Sequence, residues 1–265
     1  HEQILFFTNK GKVYSVKGYQ IPSFGRNAKG LPIINLINIE KSERVNTMMK
    51  VTSQNANEFL LFVTKNGTVK RTKAKEFTNI RNSGIRALTI HDDDELANVM
   101  ITSGKSNIFI GTHLGYCVAF SETDVRAAGR VASGVRGIRL RDHDYVVGSS
   151  IIPSDSQVLV ISENGYGKRT PANDYSIKNR GGKGMRTMRV TEKNGPLAGV
   201  TTVKGDEDIL IVSDKGVVIR FDVKDVSQSG RATLGVRLIR LDKGAKVATI
   251  SKALKFIDSN DETIE

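Results

Sequence analysis

The sequence predicts an all-β protein assembled from five copies of one four-stranded unit. Three observations predict it: a recurring glycine-led basic motif, a second glycine register that keeps step with it, and a β-rich apolar run before each turn. The motif reads Gly134-Val135-Arg136-Gly137-Ile138-Arg139-Leu140 in its fullest form. Variants begin at Gly30, Gly84, Gly184 and Gly235. Counted from the glycine, positions one, four and six are apolar in every copy. Position two is arginine in four copies and position five in three. A buried face and a basic face are therefore written together, once per repeat.

The second register is formed by Gly11, Gly67, Gly115, Gly165 and Gly216, spaced 56, 48, 50 and 51 residues apart. Each ends an apolar run: Ile4 to Thr8, Phe59 to Thr64, Ile108 to Thr112, Val158 to Ser162, Ile209 to Ser213. Asn66-Gly67 and Asn164-Gly165 are hairpin dipeptides that accept positive φ. A second strand follows each turn: Lys12 to Val16, Thr68 to Arg71, Tyr116 to Phe120, Tyr166 to Thr170, Val217 to Phe221. From turn glycine to motif glycine is 19 residues in four copies and 17 in the second. A repeat with two concordant registers is the signature of an array of supersecondary units.

The motif supplies a third strand. Positions one and four differ in parity, so a β-bulge is expected to return both to the buried face and turn the arginine at position two outward. The fourth strands are Arg44 to Met49, Glu95 to Ile101, Tyr145 to Ile151, Leu197 to Val203 and Lys246 to Ile250. Four short antiparallel strands at a period near fifty residues predict blades set around an axis. The absence of tryptophan disfavours propellers with a Trp-Asp signature. No proline-rich or serine-rich linker lies between copies, so residues 1–257 are read as one domain, and the acidic segment 258–265 as a disordered tail.

Hydrophobic content of 38% suits a thin repeated core. No apolar run reaches the ~18–20 residues of a membrane-spanning helix. The single cysteine, Cys117, excludes an intramolecular disulfide framework and fits a reducing compartment. Forty Lys and Arg against 28 Asp and Glu give a net charge of +12, which favours a polyanionic partner. His1, His91, His113 and His143 share no metal-ligand spacing, and Asp92-Asp93-Asp94-Glu95 lacks the alternating ligands of a calcium loop. Gly165-Tyr166-Gly167-Lys168-Arg169-Thr170 is not a phosphate loop, because its glycine spacing is wrong and no helix follows. No catalytic or metal-binding residue is assigned.

The candidate DNA-contacting residues are Arg26 and Lys29; Lys70, Arg71, Arg81 and Arg86; Arg126, Arg130, Arg136 and Arg139; Lys168, Arg169, Arg180, Lys183, Arg186 and Arg189; Arg220, Arg231, Arg237 and Arg240. On blades around a ring they would form a belt. A belt rich in Arg and Lys and poor in aromatics suits duplex phosphates rather than stacked single strands, with little sequence preference and strong salt dependence.

Phe7-Thr8-Asn9-Lys10-Gly11-Lys12-Val13-Tyr14, Lys29-Gly30-Leu31-Pro32-Ile33-Ile34-Asn35-Leu36, Ser133 to Leu140 and Glu163 to Thr170 closely resemble the C-terminal domain of the bacterial DNA gyrase A protein. The resemblance implies a β-pinwheel, a propeller-like ring with strands exchanged between neighbouring blades. It implies chiral wrapping of duplex DNA on the outer rim, which enables negative supercoiling. It also implies a bacterial, cytoplasmic and nucleoid-associated setting, a monomeric isolated domain and no membrane. Cofactors are none in this domain, ATP and Mg belonging to other parts of the A2B2 holoenzyme. As partners the resemblance implies the cleavage core of the same polypeptide and the ATPase subunit. The family has six blades, so a sixth copy is expected upstream of His1, and with it the family's Gln-Arg-Arg-Gly-Gly-Lys-Gly box. A box-like segment, Arg180-Gly181-Gly182-Lys183-Gly184, occurs here in a later repeat. Three alternatives stay open: the topoisomerase IV counterpart, a propeller-type protein-interaction module, and an enzyme with a central site.

Overall fold

The structure, a computed structural model, describes residues 3–25, 27–80, 83–91 and 93–253. Arg26, Arg81 and the expected tail at 258–265 lie outside them. Four of the five repeats contribute four strands and the first contributes three. The first contributes β1 (Gln3–Thr8), β2 (Lys12–Lys17) and β3 (Val45–Val51). The second contributes β4 (Phe59–Thr64), β5 (Thr68–Lys73), β6 (Ile85–Arg86) and β7 (Leu96–Thr102). The third has β8 (Asn107–Thr112), β9 (Tyr116–Ser121), β10 (Val135–Arg136) and β11 (Val146–Ile151). The fourth has β12 (Gln157–Ser162), β13 (Tyr166–Pro171), β14 (Met185–Arg186) and β15 (Leu197–Val203). The fifth has β16 (Asp208–Ser213), β17 (Val218–Asp222), β18 (Val236–Arg237) and β19 (Val247–Ala253). Helical structure among the described residues is confined to short 3-10 turns.

The hairpins form for local reasons. The turn amides of Gly11, Gly67, Gly165 and Gly216 each donate to the carbonyl ending the first strand, at 3.0 Å. The hydroxyls of Thr64, Ser162 and Ser213 then accept the amide four residues on, at 3.0 to 3.2 Å. The first strand of each repeat lies in the middle of its sheet, which explains its unbroken apolar run. Leu60 and Phe62 pack with Leu5 and Phe7, while Leu61 and Val63 pack with Ile108 and Ile110. A strand buried on both faces has no polar face to alternate with. Phe7, Phe62 and Phe77 meet with centroids 5.7 to 6.0 Å apart, in the range of favourable aromatic pairs.

The sheets run β3-β1-β2-β6, β7-β4-β5-β10, β11-β8-β9-β14, β15-β12-β13-β18 and β19-β16-β17. The two-residue third strand of each repeat thus completes the sheet of the repeat before it. This exchange places the fold in the all-β pinwheel class. β17 carries no fourth strand among the described residues. The chain divides into two compact units: His1–Thr112 with Cys117–Ile151 and Ile177–Met185, and His113–Tyr116 with Ile152–Ser176 and Arg186–Glu265.

The third strand departs from expectation in two ways. It is shorter, because after position two the ladder breaks: the amides of Gly137 and Ile138 both donate to the Gly67 carbonyl, at 2.8 and 3.2 Å. Ala87 and Leu88 do the same to Gly11, Thr187 and Met188 to Gly115, and Leu238 and Ile239 to Gly165. Two residues opposing one is the bulge the parity argument required. Position four is buried, at 1% for Leu88, 2% for Ile138 and 0% for Met188, but position one is not, since Val135 and Val236 are 39% and 46% exposed. The copy at Gly30 forms a 3-10 turn at Ile33–Asn35 instead. Pro32 has no amide to offer a ladder.

Candidate nucleic-acid interface

The exchange strand sets the register of the basic side chains. Arg86 stands opposite Lys12, Arg136 opposite Thr68 and Arg237 opposite Tyr166. Each partner directly follows a turn glycine. Gly134 shows why the entrance to this strand is glycine: its φ is +89°, and a Cβ there would lie 2.6 Å from the Val69 carbonyl oxygen.

Beyond the bulge, the basic strands that begin at Gly84, Gly134 and Gly184 are fastened to the next repeat's connecting loop. The amide at position five donates to the residue two before the next motif glycine: Thr89 to Ala132, Arg139 to Gly182 and Arg189 to Thr233, at 2.8 to 3.3 Å. In the box-like segment the link is doubled. The Gly181 amide donates to the Gly137 carbonyl at 2.6 Å, and the Arg180 guanidinium donates to the carbonyls of Asp124 and Arg136, both at 2.9 Å. Arg231 repeats the second of these bonds, donating to the Arg186 carbonyl at 3.3 Å. The consequence is a fixed backbone from which Arg136, Arg139 and Lys183 are all exposed.

The candidate residues separate into two sets. Lys29, Arg86, Arg126, Arg136, Arg139, Lys183, Arg186, Arg189, Arg237 and Arg240 are exposed. Lys70 and Lys168, expected on a basic outer strand, are 1% and 0% exposed and do not reach the surface. The Lys70 ammonium donates to the carbonyls of Ala87, Gly129 and Arg130, and that of Lys168 to Gly230 and Arg231. Burial pushes the Lys70 ammonium down to about 8, against a rise from Glu76 and a further fall from Arg130. Each lysine cross-braces the Gly-Arg dipeptide of the next connecting loop.

Their neighbours are also committed inside. Arg71 pairs with Glu122 at 3.5 Å and stacks on Phe59, and Arg169 donates to Val226, Gln157 and Lys224. Arg220, by contrast, is exposed, its guanidinium held by Asp208 at 2.6 Å. Arg130, Arg180 and Arg231 are half-buried, the last two as clamps on backbone carbonyls. Among these residues a strand that looks basic in sequence spends its charge on loop carbonyls and carboxylates.

Three residues escaped the sequence reading. The phenol oxygen of Tyr116 accepts from Arg186 at 2.7 Å, and that of Tyr166 from Arg237 at 2.9 and 3.3 Å. Lys193, over the Tyr166 ring at 5.9 Å, lines with Arg237 and Arg240 a groove of about 360 Å³. The tyrosines' position directly after the turn glycine was the available signal.

The fold and the surface together define a strand-exchanged blade-repeat protein with exposed arginines at a recurring position of the repeat. A family model described as "DNA gyrase C-terminal domain, beta-propeller" matches residues 2–52, 58–103, 106–153, 156–204 and 207–253, and the chain belongs to that family. It is 58% identical over 252 residues to the DNA gyrase A protein of Streptococcus pneumoniae, covering 95% of this chain and 31% of that protein. It is 54% identical over 265 residues to the counterpart from Halalkalibacterium halodurans, covering 100% and 31%. The chain therefore spans about a third of the length of these bacterial relatives. Among solved structures, the C-terminal domain of DNA topoisomerase IV aligns with a TM-score of 0.88 at 26% identity, covering 96% of this chain and 79% of that one. A DNA gyrase A C-terminal domain aligns at 0.83 with 25% identity, covering 96% and 83%. No helix among the described residues is long and apolar enough to cross a membrane.

Proposed function

We propose that this domain binds duplex DNA without sequence preference through its repeat-borne arginines, and that it bends and wraps the duplex with a fixed hand. Within gyrase that wrap would present a DNA segment to the cleavage core and enable negative supercoiling. The observation that carries the reading is the periodic frame: exposed arginines at position two, and at position five where present, on strands hydrogen-bonded to the next repeat's loop. Donors held at a regular spacing match a ladder of phosphates, and an ordered frame lowers the cost of docking them. On this reading the domain is non-catalytic, and ATP, Mg, the cleavage chemistry and the ATPase subunit belong to the rest of the holoenzyme. The identities of 54–58% to gyrase A proteins favour gyrase over topoisomerase IV.

The test is ligation of nicked circular plasmid in the presence of this chain, with linking number read after deproteinisation. A positive shift that grows with protein and weakens in Arg136→Ala with Arg186→Ala is the expected result. Binding with no shift would leave a DNA-binding face without wrapping. No binding at low salt would discard the interface.

A further inference from the structure

Resting on the reading that Arg186 and Arg237 meet DNA phosphates, we propose that Tyr116 and Tyr166 are positioning residues of the interface, each phenol holding its arginine in a phosphate-ready pose. Tyr166 is buried, so its ring is fixed by the sheet beneath it. Arg237 lies across the ladder from it, with NH2 and Nε at 2.9 and 3.3 Å from the phenol oxygen and the guanidinium 5.3 Å from the ring centroid. Tyr116 repeats the arrangement, with Arg186 NH2 at 2.7 Å and the guanidinium 4.9 Å from the ring. The same pairing arises twice, each time between the residue after a turn glycine and a position-two arginine.

A guanidinium carries five N–H donors in a planar fork. The phenol oxygen takes at most two of Arg237's, and the remainder stay free for an anion. An arginine stacked and hydrogen-bonded beforehand surrenders less rotamer freedom when a phosphate arrives. The ring supplies a second hold through its π face, which favours a cation within about 6 Å. Both arginines are exposed, so these interactions contribute little to folding and act on the bound state.

The test is a double-mutant cycle on this chain, with affinity for a short random-sequence duplex measured at several salt concentrations and thermal melting measured in parallel. Tyr116→Phe with Tyr166→Phe keeps both rings and removes both acceptors. The expected result is binding weaker by about two- to tenfold, with the salt slope and melting temperature kept. Arg186→Ala with Arg237→Ala should weaken binding and flatten the salt slope by ~0.9 for each phosphate no longer neutralised. In that background the tyrosine changes should have no further effect. Parental binding by the tyrosine variant while the arginine variant is weakened would overturn the positioning role. So would a tyrosine effect that persists without the arginines. Parental affinity and slope in the arginine variant would instead overturn the interface reading, and this role with it.

Discussion

The position-two arginine meets a tyrosine in two blades and a lysine or a threonine in two others. The backbone is the same in all four: two paired residues, then a bulge on the turn-glycine carbonyl. The residue after the turn glycine differs. Tyr116 and Tyr166 hold Arg186 and Arg237 by their side chains. Thr68 cannot reach around a guanidinium, so Arg136 is steadied only through its carbonyl, by Arg180, a hold that Arg186 also receives from Arg231. Lys12 faces Arg86 with a like charge, which Glu40 at 2.6 Å and Glu43 at 3.4 Å draw away. The repeat standardises where the charge emerges, and each blade sets how tightly it is held.

The largest expected effect breaks the comparison at its base. Replacing Arg136, Arg186 and Arg237 together with Ala should lower duplex affinity on the order of a hundredfold or more, with the salt slope reduced by ~2.7. Titrations across salt check both quantities. Arg86→Ala with Arg136→Ala, set against Arg186→Ala with Arg237→Ala, sharpens it: the pair held by tyrosine should cost more.

The shared frame can be broken separately. Gly134→Ala combines a positive φ with a Cβ 2.6 Å from the Val69 carbonyl oxygen, and should destabilise the chain by about 2 kcal/mol or more in urea unfolding. Lys70→Met strips the donor from the carbonyls of Ala87, Gly129 and Arg130, at about 1–3 kcal/mol. Its pH signature is specific. The folded chain releases the Lys70 proton near pH 8, while the unfolded chain keeps it to about 10.5. Between those values the unfolded state binds more protons, so this lysine's contribution to stability rises with pH. Unfolding curves from pH 7 to 10 should show that rise in the parent and lose it in Lys70→Met. The smallest effect is a gain. Thr68→Tyr supplies Arg136 with the missing clamp and should tighten DNA binding by about two- to fivefold; unchanged affinity would show that Arg180's hold on the Arg136 carbonyl already suffices.

Much of this was legible in the residues. The glycine registers, the apolar runs and the hairpin dipeptides act within a few residues, and the first strands begin within one residue of the expected positions. The parity conflict in Val135 to Ile138 pointed to an irregular ladder, but the expectation that both apolar positions would be buried held only for position four, Ile138 being buried and Val135 39% exposed. The basic positions were visible too, because repetition separates patterned charge from scattered charge. Reading Lys70 and Lys168 as surface residues failed at a definite point. A lysine is buried only if acceptors come to it, and apart from Ala87 those came from residues 59 to 63 positions further along the chain.

The amino-acid sequence by itself determined the repeat, its hairpins and the position at which each arginine leaves the strand, because these follow from local backbone chemistry and side-chain period. Only the tertiary structure decided which cations are buried braces, which are tethered and which face solvent. That choice depends on carbonyls, carboxylates and rings delivered from the neighbouring repeat, and strand exchange is what delivers them.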